Sequence, residues 1–184
     1  MMVRAWILDT EKYQDPSAPN MTDPPQFIDI QTLYRKTGVV HHQINPENYL
    51  EDEKLNKIRK DGGYDYNDEV LIKATDLKYQ EQMDQFYREH LHPFEEIRMT
   101  VEGAAFFDVR DEEDRWVRVH CASGDLFIFP PGIYHRFTLD DKGMSKQARF
   151  FSGGPKREAY YRPADELPCR EEYRAIMQKI KAAT

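Results

Sequence analysis

Residues 90–103 read HLHPFEEIRMTVEG, and residues 124–135 read GDLFIFPPGIYH. In the first stretch His90, His92, Glu96 and Arg98 all fall on even positions, so an extended strand sets them on one face. Neighbours two apart lie about 6.5 Å from one another along such a strand. Two imidazoles and a longer carboxylate can then lean towards one metal ion at about 2.0–2.2 Å. The same parity turns Glu95 away and places Ile97, Met99 and Val101 on the opposite face, an apolar surface for packing under helices. The second stretch closes on Pro130-Pro131-Gly132, a tight reversal in which Gly132 is free to take a positive φ. A neighbouring strand can then deliver His135 to the same ion, with Phe137, of equal parity, walling the pocket.

Around these stretches the period is two. From Phe94 to Phe151 the runs EIRMTV, AAFFDV, RWVRVH, DLFIF, HRFTL and QARFF are short and rich in aromatic and β-branched residues. Turn signals divide them at Glu102-Gly103, Asp111 to Asp114, Ser123-Gly124-Asp125, Pro130-Pro131-Gly132 and Asp140 to Gly143. This pattern predicts a sandwich or small barrel.

Upstream, RAWILD (4–9) predicts a short strand. Gln14 to Gln26, with four prolines, predicts an extended surface connection. Asn45-Pro46-Glu47 has the form of a helix start and Gly62-Gly63 of its stop. A second helix is expected from Thr75 or Asp76 to about Glu89, with Tyr79, Met83, Phe86 and Tyr87 on one face, packed outside the barrel. The chain closes on an amphipathic helix over about 169–182, with Tyr173, Ile176, Met177 and Ile180 in one stripe. No repeat or linker divides it. The expected organisation is a single domain: a helical N-terminal flank over about 1–89, a barrel over about 90–151, and the closing helix.

Composition narrows the function. The 184 residues are 40% hydrophobic and 12% aromatic, which argues against disorder. No apolar run approaches the roughly 20 residues of a membrane span, and MMVRAWILDTEKYQD has no apolar signal segment. A net charge of −7, from 33 acidic and 26 basic residues, argues against nucleic acid as a partner. Cys121 and Cys169 form no CxxC and suggest a reduced, intracellular chain with ordinary packed thiols. His41 and His42, in a polar connection, and His120, in register with Trp116 and Arg118, read as structural or solvated. Asp108, Arg110 and Asp111 read as closing a hairpin, and Glu51 to Glu53 as a solvated helix face. Arg98 has two readings: a fixed cation for a substrate oxygen, or a salt bridge to Glu96 or Glu102.

The spacings HxHxxxExxxxxxG (90–103) and GxxxxxPxGxxH (124–135) resemble the two metal-binding motifs of the cupin superfamily. That resemblance implies a mainly β fold, a jelly-roll-like double-stranded β-barrel with several flanking α-helices. Asp84 and Leu139 stand where those motifs often have glycine and asparagine; neither departure removes a ligand. More specifically FYREHLHPFEEIR, EGAAFFDVRDEEDRWVRV, SGDLFIFPPGIYHRFTLD and YRPADE, within a match from RAWILD to about Asp165, resemble the acireductone dioxygenases of methionine salvage.

The resemblance implies that His90, His92, Glu96 and His135 are ligands of one Fe(II) or Ni(II) ion per chain. It also implies Arg98 as a catalytic substrate contact and Phe86 and Phe137 as pocket aromatics. The substrates would be an acireductone and dioxygen, cleaved to a 2-oxo acid and formate with iron, or to a shorter carboxylic acid, formate and carbon monoxide with nickel. The ligand set is the same for both metals. A cytoplasmic monomer, also located in the nucleus, is the corresponding expectation. Phe94, Met99 and Ala104-Ala105 depart from the family pattern and bear on pocket shape. Two alternatives stay open: a non-catalytic, metal-stabilised cupin module, and a cupin dioxygenase with another substrate.

Overall fold

The computed structural model describes residues 4–12 and 15–183. Residues 1–3 and Tyr13, in the stretch read as lacking a signal segment, and Gln14, the start of the expected connection, lie outside the described residues. The chain runs β1 (Ala5–Ile7), β2 (Phe27–Ile28), α1 (Ile30–Thr37), β3 (Val40–Gln43), a 3-10 turn (Tyr49–Glu51), α2 (Glu53–Gly62), β4 (Tyr66–Lys73) and α3 (Leu77–Tyr87). It continues through β5 (His90–Leu91), β6 (Glu96–Arg110), β7 (Trp116–Ala122), β8 (Asp125–Phe129), β9 (His135–Leu139), β10 (Met144–Phe151), β11 (Tyr160–Tyr161) and α4 (Pro168–Ala182).

Strand β6 organises everything else. Its first half pairs antiparallel with β8 and β10, its second half with β7 and β9. One sheet therefore runs β4-β10-β6-β8-β3 and the other β11-β5-β9-β6-β7-β1-β2. The hydrogen-bonded ladder stays open, and the two sheets share β6, in keeping with the cupin architecture expected from the motifs. The expected turn at Glu102-Gly103 is instead a bend inside β6. Lys146 opposes Glu102 while Gln147 opposes Thr100, so Val101 is the extra residue of a β-bulge. Gly103 takes φ +73° there, and a Cβ on it would lie 2.1 Å from the Met144 carbonyl oxygen. A bulge glycine and a turn glycine carry the same sequence signal, which is why one strand reads as two.

Both sheets feed the core. Phe129 of β8 meets Phe107 of β6 with ring centroids 4.6 Å apart, and Phe107 meets Phe137 of β9 at 5.1 Å. Tyr173, Met177 and Ile180 of α4 and Leu33 of α1 close this core. On the other face of β6, Ile97 and Met99 pack with Ala148, Phe150, Tyr64 and Leu55 of α2, as parity predicts. Each buried Leu, Ile, Met or Phe among these contributes about 1.5–3 kcal/mol of transfer free energy.

The segment before residue 90 is not simply a helical flank, since β1 to β4 join the sheets. Helix α2 starts at an Asp52 N-cap, whose carboxylate accepts from the Leu55 N–H at 2.9 Å. Asn45, expected to start it, instead closes a local turn by accepting from the Glu47 N–H at 3.1 Å. Gly63, at φ +68°, does end the helix. Strand β4 escaped the sequence reading because no clean polar–apolar alternation marks it: paired only with β10, it is an edge strand that keeps Asp68, Glu69 and Lys73 on its surface. Among the described residues no helix is long and apolar enough to cross a membrane.

Candidate metal centre

The expected single strand through His90, His92, Glu96 and Arg98 is broken. Strand β5 ends at Leu91, the chain bends at Pro93 and Phe94, and pairing resumes at Glu96. Proline lacks the N–H a ladder needs and restricts the residue before it. The four candidate ligands still converge, because their neighbours place them. His90 sits directly opposite His135 in the β5–β9 pair, and Glu96 sits opposite Phe129 of β8. The Gly132 N–H donates to the His92 carbonyl at 2.8 Å. One nitrogen from each of His90, His92 and His135 lies within 4.8 Å of the others. Glu96 Oε2 lies 3.0 Å from His135 Nε2 and 3.8 Å from His92 Nε2.

Backbone carbonyls settle the protonation of all three rings. His90 Nδ1 meets the Arg88 carbonyl at 2.7 Å, His92 Nδ1 the Glu158 carbonyl at 2.5 Å, and His135 Nδ1 the Ile133 carbonyl at 2.9 Å. A carbonyl only accepts, so each Nδ1 carries the proton, and in the neutral ring Nε2 is left as a bare lone pair. Burial first, and His135 beside it, push His90 down to about 3, and burial likewise lowers His92, so these two rings are held neutral. Burial alone would raise the Glu96 carboxyl, but the Arg98 guanidinium holds it well below the usual carboxylate range.

Arg98 binds Glu96 through Nε at 2.8 Å and Nη2 at 2.7 Å, both on Oε1. Oε2 is thereby left over. Glu96 Oε2 and His135 Nε2 are buried and find no hydrogen-bond partner among the described residues. Two buried lone-pair atoms facing one another call for a cation, and three imidazoles with one carboxylate suit a divalent transition metal. The residues present therefore fit such an ion.

A cavity of about 500 Å³ opens on this cluster. Phe137 and Phe86 wall it at a centroid distance of 6.1 Å with perpendicular rings. Phe86 also stacks on Tyr79 at 6.2 Å, so it serves both the helix stripe and the wall. Arg98 likewise lines the cavity while paired to Glu96. Sequence reasoning did not single out Arg149, Lys156 and Arg157, which line the same cavity, nor the Glu158 carbonyl, since a backbone group has no residue signature.

The other candidates take structural places. His41 and His42 lie in β3, not in a loose connection, and His41 Nε2 sits 2.9 Å from the fully buried Asp125. His120 lies 3.8 Å from Asp140. Asp111 does close the β6–β7 hairpin, accepting from the Glu113 and Arg115 N–H groups. Asp108 does not; it is buried mid-strand against Arg118 and Arg136. Arg110 holds Glu89 at 2.9 Å, and Asp52 caps a helix. Burial pushes the thiols of Cys121 and Cys169 up, which leaves both unreactive.

The model of the ARD/ARD′ family matches residues 4–159. The acireductone dioxygenase of Branchiostoma floridae is 46% identical over 177 residues, covering 96% of this chain and 98% of its own. That of Drosophila melanogaster is 43% identical over 173 residues, covering 94% and 92%. Among solved structures, an acireductone dioxygenase from Bacillus anthracis with a cadmium ion in its active centre superposes with a TM-score of 0.67. It covers 88% of this chain and 100% of its own at 19% identity, a likeness of fold.

Proposed function

The chain belongs to the ARD/ARD′ family, and from that premise we propose that it cleaves an acireductone with dioxygen at the cavity floor, using one divalent ion held by His90, His92, Glu96 and His135. The observation that carries the assignment is the shared tautomer: three Nδ1–H groups are taken up by backbone carbonyls, so three Nε2 lone pairs and Glu96 Oε2 are free to bind one ion.

Iron(II) and nickel(II) both suit this ligand set, and an ion held by these four side chains would supply the activation of an enediolate substrate towards dioxygen. The protein's own residues do the rest. Arg98 spends Nε and Nη2 on Glu96, which keeps the carboxylate ionised, and leaves Nη1 for a substrate oxygen. Phe86 and Phe137 present flat apolar faces that exclude water beside the reacting carbons. Lys156 and Arg157 add positive charge to the cavity lining in a chain of net charge −7, which favours an anionic substrate. With iron the products are a 2-oxo acid and formate; with nickel they are a carboxylic acid shorter by one carbon, formate and carbon monoxide. Both sets balance one acireductone and one dioxygen.

The test is anaerobic reconstitution of the metal-free protein with iron(II), then nickel(II), followed by acireductone and dioxygen. Loss of ultraviolet absorbance with both metals, and carbon monoxide in the headspace with nickel only, is the expected result. Stoichiometric metal binding without consumption of acireductone would point instead to another substrate or a non-catalytic barrel. His92→Ala is expected to lose metal and turnover together.

A further inference from the structure

The three imidazoles are not held alike. His90 and His135 each bond a carbonyl two residues back in their own segment, Arg88 and Ile133. His92 lies outside any strand, in the bend between β5 and β6, and its Nδ1 partner is the Glu158 carbonyl, 66 residues further along. Its side chain is 15% exposed, against 2% for His135. Local chain geometry therefore orients two of the rings, and something else must orient the third.

That something is stacked on it. The Phe94 ring lies nearly parallel to the His92 ring, with an interplanar angle of 16° and centroids 5.1 Å apart. Lys156 Nζ, from the same 152–159 segment that supplies the Glu158 carbonyl, lies 5.6 Å from the Phe94 centroid. An imidazole bound through Nδ1–H alone can still swing about that bond; a flat ring against its face removes this freedom. The ammonium group on the Phe94 ring ties that ring to the 152–159 segment.

We propose that Phe94, braced by Lys156, is a positioning residue that sets the plane of His92 so that its Nε2 meets the ion held by His90, Glu96 and His135. This rests on the reading of His92 as a ligand. Groups that orient metal-binding histidines are worth about 10–100-fold in metal affinity; the near-parallel ring beside His135, Phe129, stands farther off at 6.3 Å, and that histidine has its own local carbonyl besides.

The experiment titrates the metal-free, full-length chain with nickel(II) in competition with a chelator, and records the downfield imidazole N–H resonances of the zinc(II)-loaded protein. Phe94→Ala is expected to weaken nickel binding about tenfold or more and to speed exchange of the His92 Nδ1–H while those of His90 and His135 persist. Phe94→Tyr, which keeps a stacking ring, restores both, and Lys156→Met gives a smaller loss in the same direction. Phe94→Leu, of similar bulk but without a flat face, gives the same losses as Phe94→Ala and serves if the alanine variant fails to fold by circular dichroism. Wild-type nickel affinity and slow His92 exchange in both Phe94→Ala and Phe94→Leu would overturn the positioning role. A His92→Ala control separates the two levels: if it too binds nickel at wild-type affinity, the ligand assignment itself fails; if it alone loses metal, only the role of Phe94 does.

Discussion

The backbone N–H of Gly132 donates to the carbonyl of His92 at 2.8 Å. The bond ties the turn before His135 to the bend that carries His92, and so joins the two metal-binding stretches by main chain rather than by side chains. Gly132 can make it only at φ +77°, and on its other side a Cβ would lie 2.2 Å from the Cys169 carbonyl oxygen at the start of α4.

Gly132→Ala therefore combines a left-handed backbone with a collision against main chain. A loss of about 1–3 kcal/mol or more is expected, read as a lower urea midpoint, together with weaker nickel binding as His92 and His135 drift apart. A wild-type midpoint would show that the turn relaxes freely and is not the joint between the two stretches.

Substitution of Arg98, which is paired to Glu96, is expected to separate metal binding from turnover. Arg98→Met leaves the three imidazoles in place and is expected to retain most of the bound metal while kcat falls by about 10²-fold or more, the scale of a lost charge-stabilising contact. Arg98→Lys restores charge but not the two-nitrogen grip on Oε1, and should recover turnover only in part. Metal analysis alongside steady-state kinetics checks both; unchanged kinetics in Arg98→Met would leave Arg98 only its salt bridge to Glu96.

Removal of the Asp108 carboxylate is expected to be strongly destabilising. Arg118, with no exposed surface, bonds it through Nε at 2.7 Å and Nη2 at 2.9 Å, and Arg136 adds a bond at 2.9 Å. Arg118 also donates to the Pro16 and Ala18 carbonyls, pinning the proline-rich connection to β7. Asp108→Ala strands a buried guanidinium and is expected to cost about 3–5 kcal/mol. Arg118→Met leaves Asp108 its Arg136 partner and should cost less. Urea denaturation of the two variants tests the order, and equal costs would contradict it.

Asp68 supplies a pH signature away from the metal centre. Its bidentate pair with Arg149, at 2.7 and 2.6 Å, joins β4 to β10 and holds its carboxyl below the usual 3.8. A lowered folded value means stability present above about pH 4 and lost as pH falls below the unfolded value and on through the folded one. Asp68→Asn should cost about 1 kcal/mol at pH 7, discounted for partial exposure, and the gap to wild type should narrow as pH falls below about 4 and through the lowered folded value. A gap unchanged with pH would mean the pair contributes through packing alone.

Elements were legible where a local pattern had a single physical cause. Asp76 and Gly63 bound their helices as caps because capping is decided within one turn. Strand β4 was not legible, because its pairing partner β10 lies some 80 residues away and alternation of polar and apolar residues fails on a half-exposed edge. Helix α1, eight residues between an Asp29 cap and Gly38, is too short for its periodicity to stand out.

The sequence by itself determined the chemistry: the residue types and spacings of two stretches name three imidazoles, one carboxylate and an arginine, and the glycine that lets one stretch fold back. The tertiary structure alone decided how they meet. Pro93 breaks the strand on which parity depended, and convergence comes instead from His90 lying opposite His135 across two paired strands. Only the fold brings the Glu158 carbonyl to His92, or gives Oε1 of Glu96 to Arg98 and leaves Oε2 free. The physical reason is that ligand identity belongs to side chains, which a sequence lists, whereas ligand orientation here belongs to backbone carbonyls and inter-strand register, which every residue supplies alike and only packing selects.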